Sequence, residues 1–258
     1  MPQAEFFRAM KREGRLPLEA SDVTGALVIL DRVLSAIADE YEETLAPAID
    51  RVWRDEIQDI SRDLHVWVRR LTNHDGWRPE YFEYAFGLPG DEGRDPASRD
   101  EPVLVDGRFL LRGSIDLVER RADGGPAHRV TDHKTGRNRT TWKTVIGGGA
   151  ILQPVLYSAA VEQALGMPVA SARLSYCTSA GGFVDHEIPL NDANRRSGIE
   201  ALEIIDRAVE LGFLPAAPSE RACTWCDFRP VCGPDQYERI RRKAQDRLGD
   251  LEALRERP

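Results

Sequence analysis

The sequence predicts a mixed α/β domain built around a central sheet. Three observations point there. Two long amphipathic helical patterns open the chain, strand-like segments cluster in its middle, and a further helical pattern separates two pairs of strands. The order is helices, strand, hairpin, helix, strands, helix, which suits helices packed on a sheet. The chain has 258 residues, 41% apolar and 30% charged, ordinary values for a globular protein. Its net charge of −8 excludes a protein that coats DNA through a uniformly basic surface, and leaves room for a local basic groove. No apolar run approaches the roughly 20 residues of a membrane span. The first 15 residues have no apolar signal region. These features predict a cytoplasmic protein with no membrane partner.

Residues 1–20 read as an irregular lead-in. Residues 24–46 place Leu27, Leu30, Leu34, Ile37 and Tyr41 at spacings of three and four, an amphipathic helix ended by Pro47. Residues 48–71 carry Ile49, Val52, Trp53, Ile57, Ile60, Leu64, Trp67 and Leu71 on one face of a second helix. The aromatic run 81–86 is strand-like, and the Gly-, Pro- and Asp-rich stretch 87–107 reads as a solvated loop. Residues 109–119 and 128–134 alternate as strands and flank a turn at 121–125, so they pair as a hairpin. Helix returns at 152–165. Strands follow at 172–178 and 183–188, the second ended by Pro189, then a helix at 192–211. A cysteine-bearing segment and a charged helix at 236–255 close the chain. No clean boundary divides it. Residues 1–75 form a helical region packed on a core at 76–212, and 213–258 hold the cysteines and last helix, all within one structural domain.

The chemistry concentrates on the hairpin. Asp132 and Lys134 are two apart on a strand, so their side chains share a face, while His133 points the other way and keeps its backbone carbonyl as a donor. Asp116 lies across the hairpin, and Glu83 on the preceding strand adds a third carboxylate. Hard oxygen donors without a histidine side chain suit Mg²⁺ or Mn²⁺ better than Zn²⁺. Such a metal activates water against a phosphodiester, and Lys134 positions that water or neutralises charge on the phosphate.

The motifs Gly113-Ser-Ile-Asp116, Asp132-His-Lys134-Thr-Gly136 and Gln153-x-x-x-Tyr157 resemble the RecB-like branch of the PD-(D/E)XK nuclease superfamily. The resemblance covers roughly Trp53 to the C-terminus. It implies a restriction-endonuclease-like αβββαβ core, with N-terminal helices and a C-terminal cysteine-rich segment plus helix added. By the same resemblance, Asp116, Asp132, Glu83 and the His133 carbonyl bind metal. Lys134 is the catalytic lysine, and Gln153 and Tyr157 reach the site from one helix face. Pro154 is tolerable only in that helix's first turn. Many relatives carry a metal-binding His on an upstream helix. No His precedes His65, which reads as structural or solvent-facing. With that ligand missing, Mn²⁺ should serve better than Mg²⁺, which demands near-ideal octahedral geometry.

Cys223, Cys226 and Cys232 have the form CxxCx5C, which reads as a metal or cluster site. The spacing resembles the C-terminal iron–sulfur motif of AddB-type and CRISPR-associated RecB-like nucleases. It implies a [4Fe–4S] cluster, with Zn²⁺ as the chemical alternative. The family's upstream cysteine is absent, and Cys177, on a strand, where a buried structural cysteine is the simpler reading, is the only cysteine left to serve as a fourth ligand. A shortened member of the family would lack both upstream ligands in this way.

Arg137, Arg139 and Lys143 follow the catalytic strand and are placed to meet phosphates. Arg239, Arg241, Arg242, Lys243 and Arg247 make the last helix locally basic. The resemblance implies a Mg²⁺- or Mn²⁺-dependent nuclease acting on DNA, single-stranded or with free ends, as the nuclease module of a helicase–nuclease repair system. A CRISPR-associated role in acquiring foreign DNA is a variant. The alternative is a DNA-binding or docking module that kept the fold and lost a ligand.

Overall fold

The computed structural model describes residues 1–73, 75–90, 93–213, 215–218, 222–233, 235–242 and 248–258. A five-stranded sheet organises it, in the spatial order β1 (Trp77–Phe86), β4 (Gly113–Arg121), β5 (His128–Lys134), β6 (Val169–Tyr176) and β7 (Asp185–Pro189). β1/β4, β4/β5 and β6/β7 are antiparallel. β5/β6 is parallel, which requires a crossover, and α4 (Gln153–Leu165) provides it. A small hairpin of β2 (Val103–Val105) and β3 (Phe109–Leu111) lies apart from the sheet. This mixed sheet flanked by helices agrees with the restriction-endonuclease-like expectation.

Two apolar layers hold the sheet. One packs α1 (Pro2–Arg12), α2 (Val23–Leu45) and α3 (Asp50–Arg70) around Phe7, Leu30, Trp67, Phe82 and Leu117. The other packs α4 and α5 (Asp192–Glu210) around Tyr84, Ile115, Val118, Val161 and Ala201. A buried charge network ties the strands together. Arg129 Nε and the Thr131 hydroxyl donate to Glu119 Oε2 at 2.8 and 2.7 Å, and Arg173 donates to the same oxygen at 3.0 Å. Burial alone would raise the Glu119 carboxyl, but the two guanidiniums outweigh it and hold it at about 2.

The structure corrects several expectations. The lead-in 1–20 contains α1, and Phe6, Phe7 and Met10 are among the most buried side chains of the first layer. Eleven residues opening with Pro at the first turn gave too few periods to recognise. The amphipathic faces of α2 and α3 are buried only near the body. Tyr41, Leu45, Ile49 and Val52 are exposed, because the far end of this helical hairpin extends past the sheet. The strand expected at 109–119 breaks at Arg112 into β3 and β4. The stretch 87–107 is not simply solvated: its residues 95–99 run along the outer edge of β1. The closing helix is α7 (Gln236–Arg241) and α8 (Gly249–Arg255) among the described residues, after a short turn α6 (Arg229–Cys232). Lys243 and Arg247, expected on that helix's basic face, lie outside the described residues. The chain's last residues fold back on Gly147–Gly149, where Ile146 and Gly147 N–H both donate to the Pro258 carbonyl oxygen, at 2.6 and 3.0 Å. A Cβ on Gly148 would stand 2.9 Å from the Arg255 carbonyl, so this docking needs glycine.

Candidate active site

Glu83 and Asp116 face each other between two ladder pairs, Phe82↔Leu117 and Tyr84↔Ile115. In a regular strand Phe82 and Tyr84 would share a face. Here Phe82 and Leu117 join the α1–α3 layer while Tyr84 and Ile115 join the α4 layer. The strand pair therefore rolls over at Glu83 and Asp116, and both carboxylates sit at the joint between the two layers. Glu83 adopts a φ of 56°, a left-handed conformation that costs a non-glycine residue about 1–3 kcal/mol and persists only where its surroundings enforce it. Those surroundings are visible. The Phe82 N–H donates to Asp95 Oδ2 at 2.9 Å, and the Asp95 N–H donates to the Glu83 carbonyl at 3.0 Å. From α1, Arg8 donates to the Phe82 carbonyl at 2.9 Å and Lys11 to the Glu80 carbonyl at 2.8 Å. Sequence reasoning missed Asp95, Arg8 and Lys11. Nothing in the sequence distinguished Asp95 from the other aspartates of the stretch 87–107.

Asp132 and Lys134 share one face at the end of β5, as the spacing of two requires. Lys134 Nζ lies 2.7 Å from Asp132 Oδ2 and donates to Gln153 Oε1 at 2.9 Å. Gln153 Nε2 is 3.5 Å from the Tyr157 hydroxyl. Tyr157 stands edge-on to Phe86, 5.8 Å between centroids. Its ring also explains the glycine of the first motif: a Cβ on Gly113 would lie 2.8 Å from Tyr157 Cε1. The two motifs are one packing unit, in which Gly113 leaves room for Tyr157 three residues before Asp116. Pro154 does fall in the first turn of α4. The His133 N–H donates to Asp116 Oδ2 at 2.7 Å, which fixes that carboxylate. The His133 ring packs against Trp67 with its Nδ1 3.8 Å from Asp116 Oδ2, and burial holds it down to about 4, a neutral ring.

Burial pushes Asp116 up to about 6, against the His133 hydrogen bond, and the nearby Asp132 and Glu83 charges push the same way. Glu83 is also raised by burial, although the Met1 amino group and Arg8 oppose it. Three carboxylates thus crowd one low-dielectric corner. As they stand, no three His, Cys, Asp or Glu side chains among the described residues are arranged to close around a metal ion. The donor chemistry fits one nonetheless. Glu83 Oε1 and Asp132 Oδ2 are buried without a hydrogen bond, Asp132 Oδ2 meeting Lys134 only as an ion pair. Buried carboxylate oxygens left in this state are what a hard divalent cation satisfies.

His65 takes no part: its Nε2 lies 2.6 Å from Asp31 Oδ1 on α2. Cys177 is buried, 3.5 Å from Gln3 Nε2, in the layer with Phe7 and Trp67. Cys226 and Cys232 are exposed and Cys223 half-buried. The described cysteines do not converge on a cluster-binding geometry. Arg137, Arg139 and Lys143 are exposed on the loop after β5. Among the described residues no helix is long and apolar enough to cross a membrane.

None of the curated proteins matches the chain. A family model for the PD-(D/E)XK nuclease superfamily matches residues 4–233, reaching into α1 and so beyond the start expected at Trp53. That span takes in every carboxylate above, Lys134, Gln153 and Tyr157. Nucleases of this superfamily generally use Mg²⁺ or Mn²⁺, in keeping with the oxygen-only donor set. With most of its length matched, the chain belongs to the PD-(D/E)XK nuclease superfamily.

Proposed function

We propose that the protein hydrolyses phosphodiester bonds in DNA with Mg²⁺ or Mn²⁺, Mn²⁺ serving better. The observation that carries this reading is the cluster of three carboxylates, Glu83, Asp116 and Asp132, in which Glu83 Oε1 is buried without a hydrogen bond and Asp132 Oδ2 is met by Lys134 alone, at 2.7 Å. Glu83, Asp116, Asp132 and the His133 carbonyl would hold the ion. A bound divalent ion supplies Lewis acidity at the phosphate and lowers the pKa of water there. Lys134, whose ammonium stands between Asp132 and Gln153, would stabilise the charge that develops on the scissile phosphate. Gln153 keeps the ammonium from swinging into solvent, and Tyr157 buttresses Gln153 against the sheet.

The RecB-like reading, a nuclease module working with a helicase in DNA repair, rests on the three motifs and on the Lys134–Gln153–Tyr157 chain of contacts that joins two of them. For Cys223, Cys226 and Cys232 we propose an iron–sulfur cluster on spacing alone, with zinc as the alternative. Iron and sulfide in anaerobically purified protein would support the cluster, zinc would replace it, and neither would overturn both.

The test of the main reading is digestion of labelled single- and double-stranded DNA with Mg²⁺, Mn²⁺ or EDTA. Cleavage should require the metal. Asp132→Asn and Lys134→Ala should each lower the rate by about 10²–10³ while the thermal melting transition stays intact. Full cleavage in EDTA, or by either variant, would refute the assignment.

A further inference from the structure

We propose that Trp142 is a base-stacking platform, presented to an unpaired nucleobase of the strand whose phosphates meet Arg137, Arg139 and Lys143. The inference rests on the nucleolytic reading above and adds that the substrate is engaged through a single strand.

The indole of Trp142 is 84% exposed, the most exposed large apolar side chain described. Tryptophan carries a large apolar surface, and leaving it in water forfeits the gain of burying it. The loop around it is not loose. Asn138 Oδ1 accepts from both the N–H and the hydroxyl of Thr140 at 2.8 Å. The Thr144 N–H donates to the Thr141 carbonyl at 3.0 Å, closing a turn with Trp142 and Lys143 at its two central positions. Thr144 Oγ1 accepts from the Thr141 N–H at 2.9 Å, and the Thr144 carbonyl meets His186 Nε2 on β7 at 2.8 Å. A rigid turn therefore holds the indole out in solvent.

Its position ties it to the site. The loop leaves the sheet at Lys134 and re-enters α4 at Gln153, and those two side chains are hydrogen-bonded at 2.9 Å. Trp142 lies midway along this excursion, with Arg137 and Arg139 on the approach. Lys143 Nζ sits 4.9 Å from the Trp142 ring centroid, a cation over one face. The other face is open. A flat, electron-rich surface with Lys143 over one face, on an exposed loop that also carries Arg137 and Arg139, matches an unpaired nucleotide, which offers a planar base and a phosphate together. A base inside a duplex is already stacked and has no face to offer. A protein partner would explain the exposed indole but gives no reason for the cations beside it.

The test uses the full chain in EDTA, where cleavage is blocked, and fluorescence anisotropy on two labelled probes. One is an oligothymidine. The other is an abasic deoxyribose-phosphate chain of equal length, with the same charge and no bases. The protein should prefer oligothymidine by about fivefold to a hundredfold, the range of one stacked base. Trp142→Ala should bind both probes at the abasic level, Trp142→Phe should keep part of the preference, and Arg139→Ala should weaken both probes alike. Unchanged melting of Trp142→Ala would exclude misfolding as the cause. A preference that survives in Trp142→Ala would overturn the inference while metal-dependent cleavage leaves the nucleolytic reading standing. Protein that neither binds nor cleaves DNA would overturn both.

Discussion

Asp116 pays a folding penalty for its position. Its carboxyl is raised to about 6 in the folded chain from an ordinary 3.8. Between pH 4 and 6 the folded state therefore keeps a proton that the unfolded state has released. Stability contributed by the protonated form is complete below pH 4, falls as the pH rises toward 6, and stays lost above it. About two units correspond to about 3 kcal/mol at most. Asp116→Asn removes the charge and keeps an oxygen for the His133 N–H. We expect this variant to be more stable than the parent in EDTA at pH 8 by about 1–3 kcal/mol, and to lack cleavage when Mg²⁺ or Mn²⁺ is supplied. Urea midpoints at pH 4, 6 and 8 would show the gap opening with pH, and a variant less stable at pH 8 would contradict the account. Strand and helix periods made legible that Asp132 and Lys134 share one face and Gln153 and Tyr157 another, while the choice of these residues and of Asp116 came from the resemblance of the three motifs. Asp95 and Arg8 were not legible, since each acts on backbone atoms many residues away that no local pattern announces.

The contact between Gly113 on β4 and Tyr157 on α4 sets how closely the crossover helix approaches the sheet, and thereby where Gln153 meets Lys134. A methyl at Gly113 would stand 2.8–3.0 Å from the Tyr157 ring and hydroxyl, closer than such atoms pack. Gly113→Ala should cost about 1–3 kcal/mol, the usual range for overpacking, and should slow cleavage by displacing Gln153. The same change in a Tyr157→Ala background should cost clearly less, because the obstruction is gone. Equal costs in both backgrounds, read from denaturation midpoints, would mean that Gly113 answers to something other than Tyr157. The sequence showed the glycine and the tyrosine as separate motifs; their contact needs the crossover to be folded. α1 escaped notice for a related reason. Its Phe6, Phe7 and Met10 face one layer, but a helix of 11 residues leaves few periods to detect, and its burial depends on α2, α3 and β1 being in place.

Across the whole molecule the charge balance opposes the proposed substrate. The chain carries −8 and DNA is a polyanion, so binding relies on the local cations of one loop. Composition revealed the acidity, and the order of residues after Lys134 revealed the exception. What it could not reveal was that the loop is braced by β6 and β7, through Tyr176 and His186, into a fixed display. Each phosphate neutralised on a single strand contributes about −0.7 to the slope of log affinity against log salt. Three cations then give a slope of about −2, shallow for a DNA-binding protein, and Arg137→Ala and Arg139→Ala should each flatten it by about 0.7. Below about 0.05 M salt, where the screening length exceeds 10 Å, repulsion from the acidic remainder reaches the strand and the slope should flatten further. A titration of oligothymidine binding from 0.02 to about 0.3 M salt reads both effects. A slope steeper than about −4 would mean that cations beyond this loop, Arg239, Arg241 and Arg242 first among them, also meet phosphates. Binding would then be spread over the molecule and not confined to the loop beside its active site.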